Sequence, residues 1–212
     1  MSEICQNLHR IFNRMQRYRF PFDANKIPRN GICILFQSGE NAHGMERIVR
    51  VGTHTGENQL RSRLKQHFIK ENKDRSIFRK NIGRAILCKT EDPFLDQWEW
   101  DLTTRKAKDE LLSLLDVDKQ QRIEQKVTEY IQEFFSFVVF QDNDKKSRLY
   151  TEQKIISTLS WCNDCQPSSN WLGNYSPKKK IRDSGLWLVN GLYKDILTAA
   201  EIIELQSTTH FN

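Results

Sequence analysis

The chain has 212 residues, enough to bury a sizeable core in one domain, although two small domains also fit the length. No stretch approaches the ~20 apolar residues of a membrane span, and the N-terminus lacks the apolar core of a signal peptide, so a cytoplasmic protein without membrane contact is expected. The formal net charge is +6, and the five cysteines, Cys5, Cys33, Cys88, Cys162 and Cys165, are odd in number and scattered; that usage argues against a disulfide framework and makes reduced thiols the default.

Ile4, Leu8, Ile11, Phe12 and Met15 recur at helical spacing and predict an amphipathic helix near residues 3–18, with Arg10, Arg14 and Arg17 on its other face, packed outside the central core. Pro21, Pro28 and Asn30-Gly31 punctuate the chain before Ile32 to Phe36, an apolar run that reads as a strand. Ser38-Gly39-Glu40-Asn41 reads as a turn. Arg47 to Val51 then returns as an antiparallel strand ended by Gly52, in a hairpin with a long loop. Asn58 is placed to cap a helix on which Leu60, Leu64 and Phe68 form an apolar stripe, while Arg63 and His67 share another face.

Further helical stretches are expected near Ser76 to Leu87, Arg105 to Leu115 and Gln121 to Phe134, before a third strand, Phe135 to Phe140, dense in β-branched and aromatic residues and buried on both faces. A helix from about Ser147 to Leu159 has Leu149, Ile155, Ile156 and Leu159 as its core stripe and leaves Glu152 offset from it. Near the end, Thr198 and Glu201 form a capping box for a last helix through Leu205. The fold class expected is α+β: a small three-stranded, largely antiparallel sheet flanked by helices, with accessory N-terminal, central and C-terminal helices.

The positive charge is concentrated. Between Arg61 and Arg84 lie nine basic residues and two acidic ones, Glu71 and Asp74. A charge run is ordinarily a solvated helical face, but one beside Arg63 and His67 fits a polyanion partner. Arg61, Lys65, Arg75, Arg79, Lys80 and Arg84 are therefore candidate nucleic-acid contacts. Cys162-Asn163-Asp164-Cys165 has the spacing of half a zinc site, with no second CxxC or closely spaced His pair to complete four ligands, so ordinary thiols are the expectation.

Gly31-Ile32-Cys33, then Arg50-Val51-Gly52, then Arg63 and His67 at i, i+4, then Glu152 and Pro167-Ser168-Ser169-Asn170, occur in an order that resembles the GIY-YIG endonuclease superfamily. The resemblance covers roughly residues 27–175. It implies an accessory helix over 1–26, a nuclease domain over 27–175 with a helical insertion at about 70–133, and a C-terminal helical extension over 176–212. It also implies a divalent-metal-dependent endonuclease acting on DNA, with RNA and a homodimeric assembly left open.

Under that resemblance Glu152 would hold a single Mg²⁺ or Mn²⁺, a hard cation suited to one carboxylate plus waters and substrate oxygens. Arg63 would clamp the scissile phosphate with paired donors that Lys cannot reproduce geometrically. His67 would contact the same phosphate or help move a proton, and Asn170, with Asn174 as a second claimant, would orient the metal or substrate by hydrogen bonding. The motif positions are Gly31, Cys33, Arg50 and Gly52, where Cys33 and Arg50 replace the two tyrosines of the family name. With no phenol beside the attacking water, proton abstraction falls to His54, to Tyr150 or to a water relayed through phosphate. Arg50 adds a fixed charge beside Arg63. The alternative reading is a catalytically weakened or inactive nucleic-acid-binding module on the same fold.

Overall fold

The computed structural model describes residues 2–210, and its elements fall close to the expected periodicities. The helices are α1 (Ser2–Asn13), α2 (Leu60–Phe68), α3 (Ile77–Lys89), α4 (Leu95–Glu99), α5 (Arg105–Leu111), α6 (Val117–Phe134), α7 (Lys145–Ser160), α8 (Lys179–Ser184) and α9 (Ala199–His210). The strands are β1 (Tyr18–Arg19), β2 (Gly31–Ala42), β3 (Met45–Gly52) and β4 (Phe135–Gln141). Among the described residues they form one antiparallel sheet in the order β1-β4-β2-β3. The sheet thus has four strands where the sequence suggested three; two residues, Tyr18 and Arg19, are too short a strand to leave an alternating pattern.

Alternation along the strands sorts the apolar residues into two layers. Cys33, Leu35, Val49, Phe135, Phe137 and Val139 face a core completed by Leu60, Leu64 and Phe68 of α2, by Phe78 and Ile82 of α3, and by Ile123, Val127 and Ile131 of α6. Ile32, Ile34, Phe36, Ile48, Val51, Val138 and Phe140 face the other, built from Cys5, Leu8, Ile11 and Phe12 of α1, Ile155, Ile156 and Leu159 of α7, and Ile202 and Leu205 of α9. Helix α1 therefore packs directly on the sheet. The capping box at the start of α9 is present, with Thr198 N donating to Glu201 Oε2 at 2.7 Å and Glu201 N to Thr198 Oγ1 at 3.2 Å.

Two local expectations are corrected. Ser38-Gly39-Glu40-Asn41 is not the hairpin turn: β2 runs on to Ala42, and the chain reverses at His43-Gly44, whose φ values of 53° and 74° give the twist-matched two-residue turn. Gly39, at φ 84°, lies instead within a register irregularity between Phe36 and Asn41. Asn58 does not cap α2. The cap position is Gln59, without a side-chain bond, while Asn58 takes positive φ and its backbone N donates to Asn30 Oδ1 at 2.7 Å.

Candidate active site

Four separate segments meet at the C-terminal end of β3. In the β2–β3 register Cys33 pairs with Gly52 and Leu35 with Arg50; the ladder then shifts so that Phe36 pairs with Ile48. The regular pairing before that shift puts Arg50 on the same face as Cys33, under α2 and α3. Helix α2 contributes Arg63 and His67 from one face, one turn apart, and α7 sends Glu152 from the opposite layer past the end of β3. The result is a cleft of about 170 Å³ lined by Cys33, Arg50, Gly52, Thr53, Arg63, His67 and Glu152 together with the apolar Leu35, Leu60 and Leu64. A larger groove between α1 and α9 gathers no comparable set of titratable groups.

Gly31 shows why the first motif needs glycine. Its φ is 156°, and a Cβ there would meet the Phe140 carbonyl oxygen of β4 at 2.1 Å. The same residue anchors the loop after β3, since Thr53 Oγ1 donates to Gly31 O at 2.7 Å and Gly31 N donates to His54 Nε2 at 3.4 Å. Thr53 N in turn donates to Glu152 Oε1 at 2.9 Å, which fixes the carboxylate at the mouth of the cleft.

The electrostatics of the cleft favour an anion. Burial raises the Glu152 carboxyl above its ordinary value of 4.5, opposed by the Thr53 N–H and by the Arg50 and Arg63 guanidiniums. Burial also draws the Arg50 guanidinium down, with Glu152 opposing and Arg63 adding to the effect, but a delocalised guanidinium still holds its proton through the neutral range. Arg50 Nη1 donates to Trp187 O at 2.7 Å, while its buried Nε has no protein partner. A buried donor without a partner is costly. Arg63 is half-buried, with Nη1 donating to Gln66 Oε1 at 2.7 Å. Two guanidiniums against one carboxylate leave the cleft positive.

His67 is held neutral: burial, then the charges of Arg50, Arg63 and Arg79, keep its imidazolium well below 6.5. Its Nδ1 lies 2.7 Å from Ser76 Oγ, and its ring meets Phe78 edge-on at 5.4 Å. The Cys33 thiol is pushed up by burial, so it stays protonated and offers no base.

Other sequence candidates lie elsewhere. His54 is buried, with Nδ1 2.6 Å from Gly56 O and Nε2 accepting from Gly31 N, so both nitrogens lock the loop. Tyr150 donates to Glu201 Oε1 at 2.6 Å on a different surface; two residues before Glu152 is about 200° around the helix. Asn170 is exposed on a loop held by Ser168 N donating to Glu40 Oε2 at 3.0 Å and Trp171 Nε1 donating to Gln37 Oε1 at 3.0 Å. Asn174 is bonded within that loop, donating to Ser168 O at 2.9 Å. Neither asparagine lines the cleft.

The basic segment divides in two. Arg79 is fully buried and paired with Glu124 of α6 at 2.7 Å. Arg84 pairs with Glu99 at 2.5 Å, and Lys80 Nζ donates to Glu99 O at 2.8 Å. These three are bonded within the fold and none lines the cleft, which corrects their reading as phosphate contacts. Lys65 and Arg75 remain exposed, and Arg61 is half-buried with Nε donating to Ile27 O at 2.7 Å. No helix among the described residues is long and apolar enough to cross a membrane.

Comparison with known proteins agrees with this geometry. A family model described as GIY-YIG domain matches residues 2–201. No curated protein and no solved structure matches the chain.

Proposed function

This chain belongs to the GIY-YIG domain family, a family of nucleases, and from that premise we propose that it is a divalent-metal-dependent endonuclease hydrolysing phosphodiester bonds in DNA. The observation that carries the proposal is the convergence of Arg50, Arg63, His67 and Glu152 on one positive cleft from three separate segments, β3, α2 and α7. The donor set fits a hard divalent cation, because Glu152 offers a carboxylate already oriented by Thr53 N and leaves remaining coordination to water and phosphate. The positive surroundings make that ion dependent on the substrate's own charge. When bound, Mg²⁺ or Mn²⁺ supplies Lewis-acid stabilisation of the leaving oxygen.

In this mechanism Arg63 holds the phosphate oxygens, and the buried charge of Arg50 beside it helps to neutralise charge as it builds in the transition state. His67 takes the place of the missing phenol. The tautomer that donates Nδ1–H to Ser76 Oγ leaves Nε2 bare, and a neutral imidazole in the cleft can accept the proton of the attacking water. Cys33 fills space. Lys65, Arg75 and Arg61 lie nearby on the outside and would follow the nucleic-acid backbone.

The proposal is tested by incubating the purified chain with supercoiled plasmid and Mg²⁺ or Mn²⁺; nicked product is expected, and no cleavage of any DNA or RNA substrate despite binding would favour the inactive binding module. His67→Gln is expected to lower single-turnover cleavage by roughly 10²–10⁴-fold, the range of a general base. The pH profile follows from the same groups. Activity needs Glu152 ionised and His67 neutral, so it is lost as pH falls, and His67, held well below 6.5, contributes no inflection at or above that value. An inflection at or above pH 6.5 in kcat/KM that disappears from the residual cleavage by His67→Gln would contradict the neutral-histidine assignment. Arg63→Lys is expected to lose turnover more than affinity, because charge survives and the paired donor geometry does not; equal losses in filter binding and cleavage would make Arg63 an ordinary backbone contact.

A further inference from the structure

On the far side of the sheet from the cleft, three cysteines and a histidine from distant parts of the chain come together. Cys5 sits on α1, His43 at the β2–β3 turn, and Cys162 and Cys165 on the turn that leaves α7. Cys5 Sγ lies 3.3 Å from Cys165 Sγ; His43 Nε2 lies 3.5 Å from Cys162 Sγ and 3.4 Å from Cys165 Sγ. All five cysteines are free, and 3.3 Å is far beyond the ~2.05 Å of a disulfide. Donor atoms spaced in this way match the edges of a tetrahedron around a metal bound at about 2.3 Å to sulfur and about 2.0–2.1 Å to nitrogen.

The fourth ligand has two claimants. The donor atoms of Cys5, His9, His43 and Cys165 all lie within 4.8 Å of one another, so distance alone admits His9. Its ring nitrogens are both committed, however: Nδ1 lies 3.0 Å from Cys5 O, and Nε2 accepts from Ile48 N at 3.2 Å. His43 contacts only the thiols and the face of His9, at 5.2 Å between ring centroids. Cys162 therefore completes the set.

We propose that Cys5, His43, Cys162 and Cys165 form a structural zinc site that ties α1 and the β2–β3 turn to the end of α7. Three thiolates and one imidazole select zinc over the hard cations that suit the carboxylate cleft. The four protein ligands close the coordination sphere, as structural zinc sites require. Three thiolates around Zn²⁺ leave one negative charge, and the buried Arg47 guanidinium interacts electrostatically with Cys165. The site fixes the C-terminal end of the same helix that carries Glu152.

Elemental analysis of the full-length chain, purified without chelators, is expected to give about one zinc per chain. X-ray absorption at the zinc edge is expected to show three sulfur ligands and one nitrogen. A zinc-chelating dye should release that metal and in the same step expose three further thiols to a thiol reagent. Cys162→Ser and His43→Ala should each retain little zinc, whereas Cys88→Ser should retain all of it. Where a ligand variant fails to fold, release of metal and thiols from the wild-type chain carries the test. Wild-type protein that holds far less than stoichiometric zinc even after refolding in its presence would overturn the proposal, as would full zinc retention in Cys162→Ser. Retention in His43→Ala with loss in His9→Gln would overturn the ligand set.

Discussion

Glu124→Ala is expected to destabilise the fold by about 3–5 kcal/mol, the cost of leaving one member of a buried ion pair alone. Arg79 is fully buried between α2, α3 and α6, its Nη2 2.7 Å and its Nε 3.1 Å from Glu124 Oε2. Its remaining partners, His67 O at 3.2 Å, Glu124 O at 2.9 Å and Thr128 Oγ1 at 2.8 Å, are neutral and cannot compensate the charge. Glu124 also accepts from Lys73 N, so its loss unties the loop before α3 as well. For a chain of this size the change corresponds to a melting temperature lower by roughly 6–20 °C. Urea unfolding of both proteins measures it. A loss below about 1 kcal/mol would mean that water reaches the Arg79 site, and the pairing with an apolar Arg79→Met, Glu124→Leu double variant should recover most of the stability.

That pair also shows where sequence reading stops. Arg79, Lys80 and Arg84 look like part of a surface patch because their partners, Glu124 and Glu99, lie far away in the chain; only the packing of α3 against α4 and α6 reveals the compensation. Gly39 carried a genuine signal of unusual backbone, read as a turn, but a bulge and a turn place the same demand on φ. Helices with a strong apolar stripe, such as α1 and α6, were legible to within a few residues because period is a property of the segment itself.

The candidate cleft was legible for a different reason. Cys33, Arg50, Gly52, Arg63, His67 and Glu152 each sit on a regular element, and the order of those elements constrains which faces meet. His54 and Tyr150 were chosen by chemistry and proximity in sequence and Asn170 by the family resemblance; the first two are hydrogen-bonded to Gly56 and Glu201, and Asn170 lies on an exposed loop outside the cleft lining. The Cys5, His43, Cys162 and Cys165 cluster was invisible for want of a second local pair: its remaining ligands are one residue on a helix and one at a turn.

Glu152→Gln carries the second large effect, complete loss of cleavage. Glutamine keeps the shape and can still accept from Thr53 N, so the loop after β3 and the fold are expected to survive. What it loses is the negative charge, and with it the hard anionic donor that holds a divalent cation. Substrate affinity should be kept or increased, because the cleft then presents Arg50 and Arg63 without an opposing carboxylate. Single-turnover cleavage of a labelled duplex by wild type and Glu152→Gln, with Mg²⁺ or Mn²⁺, paired with binding of the same duplex, therefore tests the central claim most directly. Metal-dependent product from wild type, none from Glu152→Gln, and binding by both is the predicted result; equal cleavage by the two proteins would contradict it.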